Sequence, residues 1–336
     1  METVKIAEVT RGNLVESIHR GAVAVVNTKG KLLASAGDPG YLTYFRSAAK
    51  PIQAIPVVES GASRHFGLNL QEIALMTGSH SGEAQHTETA RSILRKIGLG
   101  VEYLQCGAHD PLYKPSRDAL LAQGLKPSSL HNTCSGKHAG MLTLARYREL
   151  SLEDYFRPEH PIQQEMLKTV AEMAGLVTEQ IPAGIDGCGV PVFGLPLEKM
   201  ASAYARISAP GDNDLTVARK EACLLIKEAM TTHPFMVGGT DRFDTDLLKT
   251  CQGKLIAKFG AEGVYCVGVP EKGWGIAVKV EDGNLRALPS ITLAVLEQLG
   301  LLTVEEKEKL SGYGQRRLTN HRGDLIGEIR AVVSLK

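Results

Sequence analysis

No stretch of this 336-residue sequence approaches the roughly 18 consecutive apolar residues that a membrane-spanning helix needs. The first eight residues, Met-Glu-Thr-Val-Lys-Ile-Ala-Glu, carry charges where a secretory signal peptide has an apolar segment. The sequence therefore predicts a cytoplasmic protein with no membrane partner.

A strong charge of either sign is also missing, because 38 Lys and Arg residues face 37 Asp and Glu residues and leave a formal net charge of +1. Proteins that bind nucleic acids or anionic membranes usually concentrate positive charge on one surface. The charge balance argues against both partners and leaves a small polar molecule as the expected ligand.

Cysteines are few and widely spaced: the chain has six, and none form a Cys-x-x-Cys pair. This spacing differs from the dense disulfide framework of small secreted domains, so we expect reduced thiols. Cys223 and Cys266 lie in apolar segments typical of a core. Cys134 and Cys188 lie in polar, glycine-containing segments, which favours a loop at a surface or cleft.

The apolar pattern predicts strands near both ends of the chain and helices between them. A hairpin is expected over 21–36, helices over 138–149, 161–174, 196–206, 216–231 and 290–299, and strands over 254–258, 263–269, 275–280 and 326–335. A strand over 73–76 would place Ser79 at a strand-to-helix junction. This order predicts an α+β fold, with a sheet shared by both ends and a helical lobe beside it. We expect one domain of two lobes over 1–336, without a clear linker.

Residues 46–51, Arg-Ser-Ala-Ala-Lys-Pro, place Ser47 and Lys50 three positions apart, a separation that brings two side chains onto one helical face. Serine needs a neighbouring base to act as a nucleophile, and a lysine whose charged form is disfavoured by burial can be that base. Ser47 is also expected to cap a helix with Pro51 in its first turn. The alternative is a capping serine beside a solvated lysine.

Three further segments bear reactive groups. Residues 78–83, Gly-Ser-His-Ser-Gly-Glu, crowd hydroxyls, an imidazole and a carboxylate around glycines that allow close approach of a ligand, although they also suit a helix-capping turn. Residues 134–138 contain a thiol, an amine and an imidazole, and residues 186–188 contain a carboxylate and a second thiol. Two cysteines and a third ligand suit zinc, but lysine must lose its proton to bind a metal, so spacing alone leaves the metal site open.

Taken together, these four segments resemble the class 3, or rhizobial-type, L-asparaginases, also called the asparaginase II family. The segments occur in the family's order, and the likeness continues to residues 278–284, nearly the whole chain. The resemblance implies a fold like that of serine β-lactamases and glutaminases, with a central, largely antiparallel sheet. It also implies a homodimer that hydrolyses L-asparagine to L-aspartate and ammonia.

The resemblance implies roles for ten residues. Two Ser-Lys tandems would form the catalytic centre, Ser47 with Lys50 and Ser79 with Lys258; Lys254 is the alternative partner of Ser79. A zinc ion, modulatory rather than essential, would bind to Cys134, Lys137 and Cys188. Substrate would be held by Arg46, His138 and Asp186. An arginine suits the α-carboxylate of a free amino acid, and a carboxylate suits its α-ammonium group.

Other functions remain open at this stage. A glutaminase or a β-lactamase-like enzyme could use the same serine–lysine chemistry, although the Lys-Thr-Gly and Ser-Asp-Asn motifs of penicillin-recognising enzymes are missing. A non-catalytic protein that binds zinc or an amino acid on the same fold would be expected to have lost its nucleophile or base, and both are present.

Overall fold

An eight-stranded antiparallel sheet forms the centre of the protein, in a computed structural model that describes residues 2–336 except the side chain of Asp212. Its strand order is β10-β11-β1-β2-β9-β8-β7, with β3 paired to β2, and a small second sheet has the order β4-β6-β5. The strands are β1 (Val4–Arg11), β2 (Leu14–Asn27), β3 (Leu32–Ala36), β4 (Leu42–Tyr44), β5 (Ala183–Ile185), β6 (Pro191–Pro196), β7 (Ile256–Gly260), β8 (Val264–Val269), β9 (Trp274–Val280), β10 (Arg316–Thr319) and β11 (Leu325–Ala331).

Helices fill the middle of the chain and return near its end. They are α1 (Lys50–Gln53), α2 (Ile55–Glu59), α3 (Ala62–His65), α4 (Leu70–Thr77), α5 (Ala84–Lys96), α6 (Lys114–Ala122), α7 (Ser135–Tyr147), α8 (Pro161–Ala174), α9 (Leu197–Ser208), α10 (Val217–Thr232), α11 (Pro234–Val237), α12 (Phe243–Cys251), α13 (Leu288–Gln298), α14 (Val304–Lys309) and α15 (Ser311–Gly314). Within residues 2–336, no helix has the length and apolar character to cross a membrane.

The predicted α+β fold is confirmed, because strands from both ends of the chain share one antiparallel sheet and helices lie between them in sequence. The hairpin is also confirmed, since β2 pairs with β3 and the side chain of Asn27 accepts the N–H groups of Lys29 and Lys31 in the turn. Helix α8 has the predicted bounds.

The predicted strand over 73–76 is wrong, because these residues belong to helix α4. The side chain of Asn69 accepts the Glu72 N–H, and the Glu72 carboxylate accepts the Asn69 N–H, so a capping box starts the helix. Helix α4 contacts α5, α7 and α10 and is buried on several sides. Its apolar residues therefore occupy more than one face, and the sequence lacks the spacing of three and four residues that indicates a helix with one buried face. Ser79 therefore follows a helix, not a strand.

Helix α9 packs across β8 and β9, and glycines make this close contact possible. A Cβ at Gly275 would collide with the backbone oxygen of Ala201, and one at Gly268 would collide with that of Tyr204. A short 3-10 turn, Arg46–Ala49, lies against β7 and β8. The predicted site residues lie on this turn, on loops near it, on helices α1 and α7 and on strand β7.

Candidate active site

The 3-10 turn that carries Ser47 is fixed by its neighbours. Phe45 is buried and its N–H donates to the oxygen of Phe193 (2.8 Å), while the Tyr204 hydroxyl donates to the oxygen of Ala48 (2.7 Å). The expectation that Ser47 caps a helix is wrong, because Phe45 occupies the N-cap position and Ser47 lies inside the turn. Pro51 does lie in the first turn of α1, as predicted.

Lys50 is buried, with 1% of its surface exposed, and its amine contacts three oxygen atoms. The Nζ donates to the oxygen of Gly78 at 2.7 Å, to the hydroxyl of Ser79 at 3.0 Å and to the oxygen of Thr133 at 3.2 Å. The Lys50 N–H donates to the backbone oxygen of Ser47 in the turn, but no hydrogen bond joins the two side chains among residues 2–336. The structure thus brings Lys50 to the serine of the other expected tandem.

The loop that carries Ser79 is held by a neutral histidine. The Ser79 N–H donates to the oxygen of Val237 (2.9 Å), and the Gly82 N–H donates to Nδ1 of His80 (3.2 Å). Since Nδ1 accepts, Nε2 carries the proton and donates to the Ser135 hydroxyl at 2.8 Å. Complete burial lowers the pKa of His80 well below its usual value, which favours this neutral form.

Lys258 lies on β7, is fully buried, and pairs with a carboxylate. Its Nζ is 3.3 Å from Oδ2 of Asp244 and donates to the oxygen of Phe259 at 2.8 Å, while Oδ1 of Asp244 accepts the Phe259 N–H at 3.0 Å. In the described part of the chain, Lys258 makes no hydrogen bond to Ser79. Burial lowers the pKa of Lys258 to about 8; Asp244 opposes this shift, and the charge of Lys50 adds to it.

The alternative lysine, Lys254, faces away from this centre. Its amine binds the carboxylate of Glu306 at 2.7 Å, and 43% of its side chain is exposed. Lys258 is therefore the lysine that the fold places near Lys50.

The two residues expected to bind a zwitterion are paired with each other. The Arg46 guanidinium donates to Oδ1 of Asp186 through Nε at 3.1 Å and lies 3.0 Å from it through a second nitrogen. Burial acts to raise the pKa of Asp186, but the positive charges of Lys137 and Arg46 outweigh burial, so this pKa is lowered. Asp186 is accordingly a carboxylate at neutral pH.

His138, the third expected substrate-binding residue, is completely buried. The Tyr155 hydroxyl lies 2.6 Å from Nδ1 of His138 and accepts the Gln105 N–H, so its own proton is free to go to Nδ1. Nε2 then carries a proton and has no partner among the described residues. Burial, with the charge of Lys137, lowers the pKa of His138 to about 3. His138 therefore offers one unused donor.

The three expected zinc ligands lie together. The Lys137 amine donates to the sulfur of Cys188 at 3.0 Å. A hydrogen bond from Cys134 lowers the pKa of Cys188 to about 5, while the same bond and burial raise the pKa of Cys134 to about 11. Burial acts to lower the pKa of Lys137, but the charges of Cys188, Cys134 and Asp186, with the hydrogen bond to Cys188, raise it above its usual value. Without metal, a thiolate thus faces an ammonium group.

This donor set fits zinc, since two sulfur atoms and one nitrogen converge and leave a fourth position for another ligand. Binding would release protons from Lys137 and Cys134, which makes it weaker at low pH. No group of three His, Cys, Asp or Glu side chains suited to a metal occurs within residues 2–336, so the lysine is needed to complete the set.

A cavity of about 270 Å³ joins these groups. Its walls include both serines, the Arg46–Asp186 pair and both cysteines, and the other lining residues are His109, Leu112, Asn132, Thr133, Gly187, Arg242, Phe259 and Ala261. The remaining expected residues, Lys50, Lys137, His138 and Lys258, are buried outside the cavity lining. A molecule in the cavity can therefore contact Ser47 and Ser79, whereas the lysine amines lie behind the wall and out of water.

Comparison with known proteins decides the family. A model of the L-asparaginase II family matches residues 7–331. The chain belongs to the L-asparaginase II family. No curated protein matches it.

Solved structures similar to this L-asparaginase II family member include three proteins. They are Mglu (TM-score 0.46, 14% identity, 85% of this chain and 68% of that one), a β-lactamase from Mycobacterium bovis (0.43, 15%, 83% and 94%) and a Bacillus glutaminase (0.39, 13%, 84% and 91%). The chain thus spans about two thirds of the length of Mglu.

Two charged residues near the site of this L-asparaginase II family member were not predicted from the sequence. Asp244 and Arg242 follow a loop that is bound to the Ser79 loop, since the Glu83 carboxylate accepts the N–H and the hydroxyl of Thr240 at 2.8 and 2.7 Å. Asp244 and Asp246 lie in the first turn of α12, and this pair of acidic residues is the feature of the sequence that could have drawn attention to Asp244.

Proposed function

We propose that this protein is an L-asparaginase, which hydrolyses L-asparagine to L-aspartate and ammonia through a covalent intermediate on Ser47. One observation carries the proposal: a single cavity is lined by both serines and by the Arg46–Asp186 pair, with a buried lysine bonded to one of the serines. Zwitterion recognition and serine activation thus meet in one place.

The charged pair would bind the amino-acid end of the substrate. Arg46 presents planar donors to the α-carboxylate, and Asp186 accepts from the α-ammonium group. A zwitterion that inserts between them replaces one ion pair with two. The side-chain amide is then directed toward the serines.

Ser47 is proposed as the nucleophile because of the turn on which it lies. Arg46 adopts φ 51°, which is uncommon for a residue other than glycine, and the turn begins directly at the cavity. The first N–H groups of a helical turn have no helical partners, so they can donate to the oxyanion that forms when Ser47 attacks the amide carbon.

Ser79 and Lys50 are proposed to move the proton. Of the three groups bonded to Lys50, the oxygens of Gly78 and Thr133 can only accept, whereas the Ser79 hydroxyl can also donate. A neutral Lys50 would therefore accept the Ser79 proton, and Ser79 would take the proton of Ser47. In the opposite direction, the same chain delivers a proton to the departing ammonia, and it later activates the water that hydrolyses the ester.

Lys258 is proposed to keep one amine of the site neutral. Burial of two adjacent amines disfavours two positive charges and lowers the pKa of Lys258 to about 8. The Lys50–Lys258 pair is therefore proposed to lose one proton in this pH range, and Lys50 is the neutral amine when the remaining proton lies on Lys258. Activity should rise with pH as this proton is lost.

Zinc, when present, would be held by Cys134, Lys137 and Cys188, and it would polarise the group in its fourth position. We propose a modulatory role, because the serine–lysine chain already supplies a nucleophile and a base. The fixed cysteines and lysine would then order the wall that also carries Asp186.

A homodimer is a further part of the proposal. Leu14, Val15 and Ile18 expose 71%, 39% and 46% of their surfaces along one end of β2, and such a patch favours contact with another protein surface. Light scattering should give twice the chain mass of 36.2 kDa. A mass of one chain at micromolar concentration would contradict the dimer.

The activity is tested by ammonia release from L-asparagine, L-glutamine and D-asparagine, with nitrocefin as a β-lactam control. We expect kcat/KM for L-asparagine to exceed that for L-glutamine by roughly tenfold or more, because one additional methylene displaces the amide from a fixed zwitterion site. Faster hydrolysis of L-glutamine would indicate a glutaminase, and hydrolysis of nitrocefin alone would indicate a β-lactamase.

A further inference from the structure

A second cavity adjoins the candidate active site and is mostly apolar. Its volume is about 350 Å³, and it shares Leu112, Arg242 and Phe259 with the first cavity. The rest of its wall consists of Asp244 and of five largely apolar residues, which are Phe243, Tyr265, Leu285, Leu288 and Pro289. A molecule that extends past the shared residues therefore passes from a polar cavity into an apolar one.

Arg242 stands at the boundary between the two cavities. Its guanidinium carbon lies 5.8 Å from the centre of the Phe259 ring, and the side chain is half-buried. Within residues 2–336, Arg242 forms no ion pair and no side-chain hydrogen bond. The nearby carboxylate of Asp244 is already bonded to the amine of Lys258 and the N–H of Phe259. Arg242 is thus a cation without an internal partner beside an apolar space.

The direction of the substrate connects this feature to catalysis. Arg46 and Asp186 line only the first cavity, whereas Arg242 and Phe259 line both. A substrate whose amino-acid end lies at Arg46 and Asp186 presents its amide to Ser47. In this binding mode, the wall shared by the two cavities is available to atoms attached to the amide nitrogen.

We infer that the second cavity, with Arg242 at its entrance, is a leaving-group subsite for β-aspartyl dipeptides whose second residue has an apolar side chain. The inference rests on the proposed function, because it uses the same serine chemistry. Arg242 would bind the carboxylate of the second residue, and the apolar wall would bury its side chain.

The reaction balances without a further reactant other than water. The Ser47 oxygen bonds to the β-carbonyl carbon, the carbon–nitrogen bond breaks, and the nitrogen takes a proton and departs as the amino group of the second residue. Water then cleaves the aspartyl ester, releases L-aspartate and restores the Ser47 hydroxyl. Ammonia is replaced by an amino acid as the first product.

The test compares kcat/KM for L-asparagine, β-aspartyl-leucine, β-aspartyl-glycine and β-aspartyl-leucinamide, by chromatography of released aspartate. Because the leucine side chain would be buried, kcat/KM for β-aspartyl-leucine should be roughly 10- to 100-fold higher than for β-aspartyl-glycine. Because Arg242 would bind the free carboxylate, kcat/KM for β-aspartyl-leucine should also be higher than for β-aspartyl-leucinamide. Absence of β-aspartyl-leucine cleavage by an enzyme that hydrolyses L-asparagine would overturn the subsite and leave the proposed function standing. Absence of both activities would overturn both proposals.

Two variants test the residues through ratios measured within one enzyme, so a loss of folded protein does not affect them. Arg242→Gln should lower the preference for β-aspartyl-leucine over its amide by roughly 10- to 100-fold, since one charge-assisted contact is lost. Leu285→Ala should lower the preference for leucine over glycine several-fold, and Leu325→Ala, on β11 away from both cavities, should leave it unchanged. Unchanged ratios in Arg242→Gln and Leu285→Ala would overturn the inference.

Discussion

Replacement of Asp244 by Asn should move the pH dependence of the reaction to lower pH. The negative charge of Asp244 raises the pKa of Lys258, against the effects of burial and of the positive charges of Lys50 and Arg242. These are the charged groups that act on the Lys258 amine, and Tyr265 packs close by on β8. Without the carboxylate, the ammonium form of Lys258 loses its one anionic partner.

The size of the shift follows from the geometry. Two unit charges 3.3 Å apart interact by about 5 kcal/mol at an effective dielectric constant of about 20. The amide dipole of Asn and local relaxation replace part of this energy, and a nearby opposite charge typically changes a pKa by about 1 to 3 units. We therefore expect the inflection in kcat/KM to fall from a pH of about 8 by roughly one to two units.

The assay is ammonia release from L-asparagine at a series of pH values, fitted for the ascending limb of kcat/KM, which reports groups of the free enzyme. Asp246→Asn is the matched control, because Asp246 lies on the same helix but binds the Tyr313 hydroxyl at 2.6 Å instead of Lys258. Its inflection should stay near that of the unaltered protein. An inflection of Asp244→Asn that stays at the unaltered position, or moves up, would refute this role for Lys258.

Three other outcomes are expected. Ser79→Ala should lower kcat by roughly a thousandfold or more with unchanged folding. Ser63 is a buried serine outside the site, and Ser63→Ala should retain activity. Near-normal turnover of Ser79→Ala would contradict the proton relay. Cys188→Ala should abolish zinc uptake measured by mass spectrometry, and Cys223→Ala should retain it. Enzyme freed of metal by a chelator should keep most of its turnover at saturating substrate. Turnover that requires zinc would instead show that the metal takes part in the chemistry. Asp186→Asn should reduce the preference for L-asparagine over N-acetyl-asparagine, and an unchanged preference would limit Asp186 to a structural role.

Periodicity in the sequence was sufficient for much of the fold. Strands β8 and β9 and helix α8 have long, regular apolar patterns, and their predicted bounds agree with the structure to within one residue. The run 73–76 failed because a short apolar segment buried on several sides has no clear period. The strand Arg316–Thr319 was missed because its four residues are mostly polar and exposed at the sheet edge.

The site was predictable where its residues are neighbours in sequence, and less so where the fold brings them together. Residues 46–50 suggested a Ser47–Lys50 pair from spacing, but the side chain of Lys50 turns inward to the oxygens of Gly78 and Thr133 and so meets Ser79. The pair of Lys258 and Asp244 joins a strand to the preceding helix across 14 residues. No local pattern marks such a contact.

The covalent intermediate on Ser47 is the central claim, and acid quenching of the enzyme during turnover of L-asparagine tests it most directly. Trypsin cleaves after Arg46 and Arg64, so Ser47 and Ser79 fall in different peptides. Peptide mass spectrometry should find an aspartyl group on the peptide that begins at Ser47, and this species should be absent from Ser47→Ala. An aspartyl group on the Ser79 peptide, or turnover that continues in Ser47→Ala, would contradict the account.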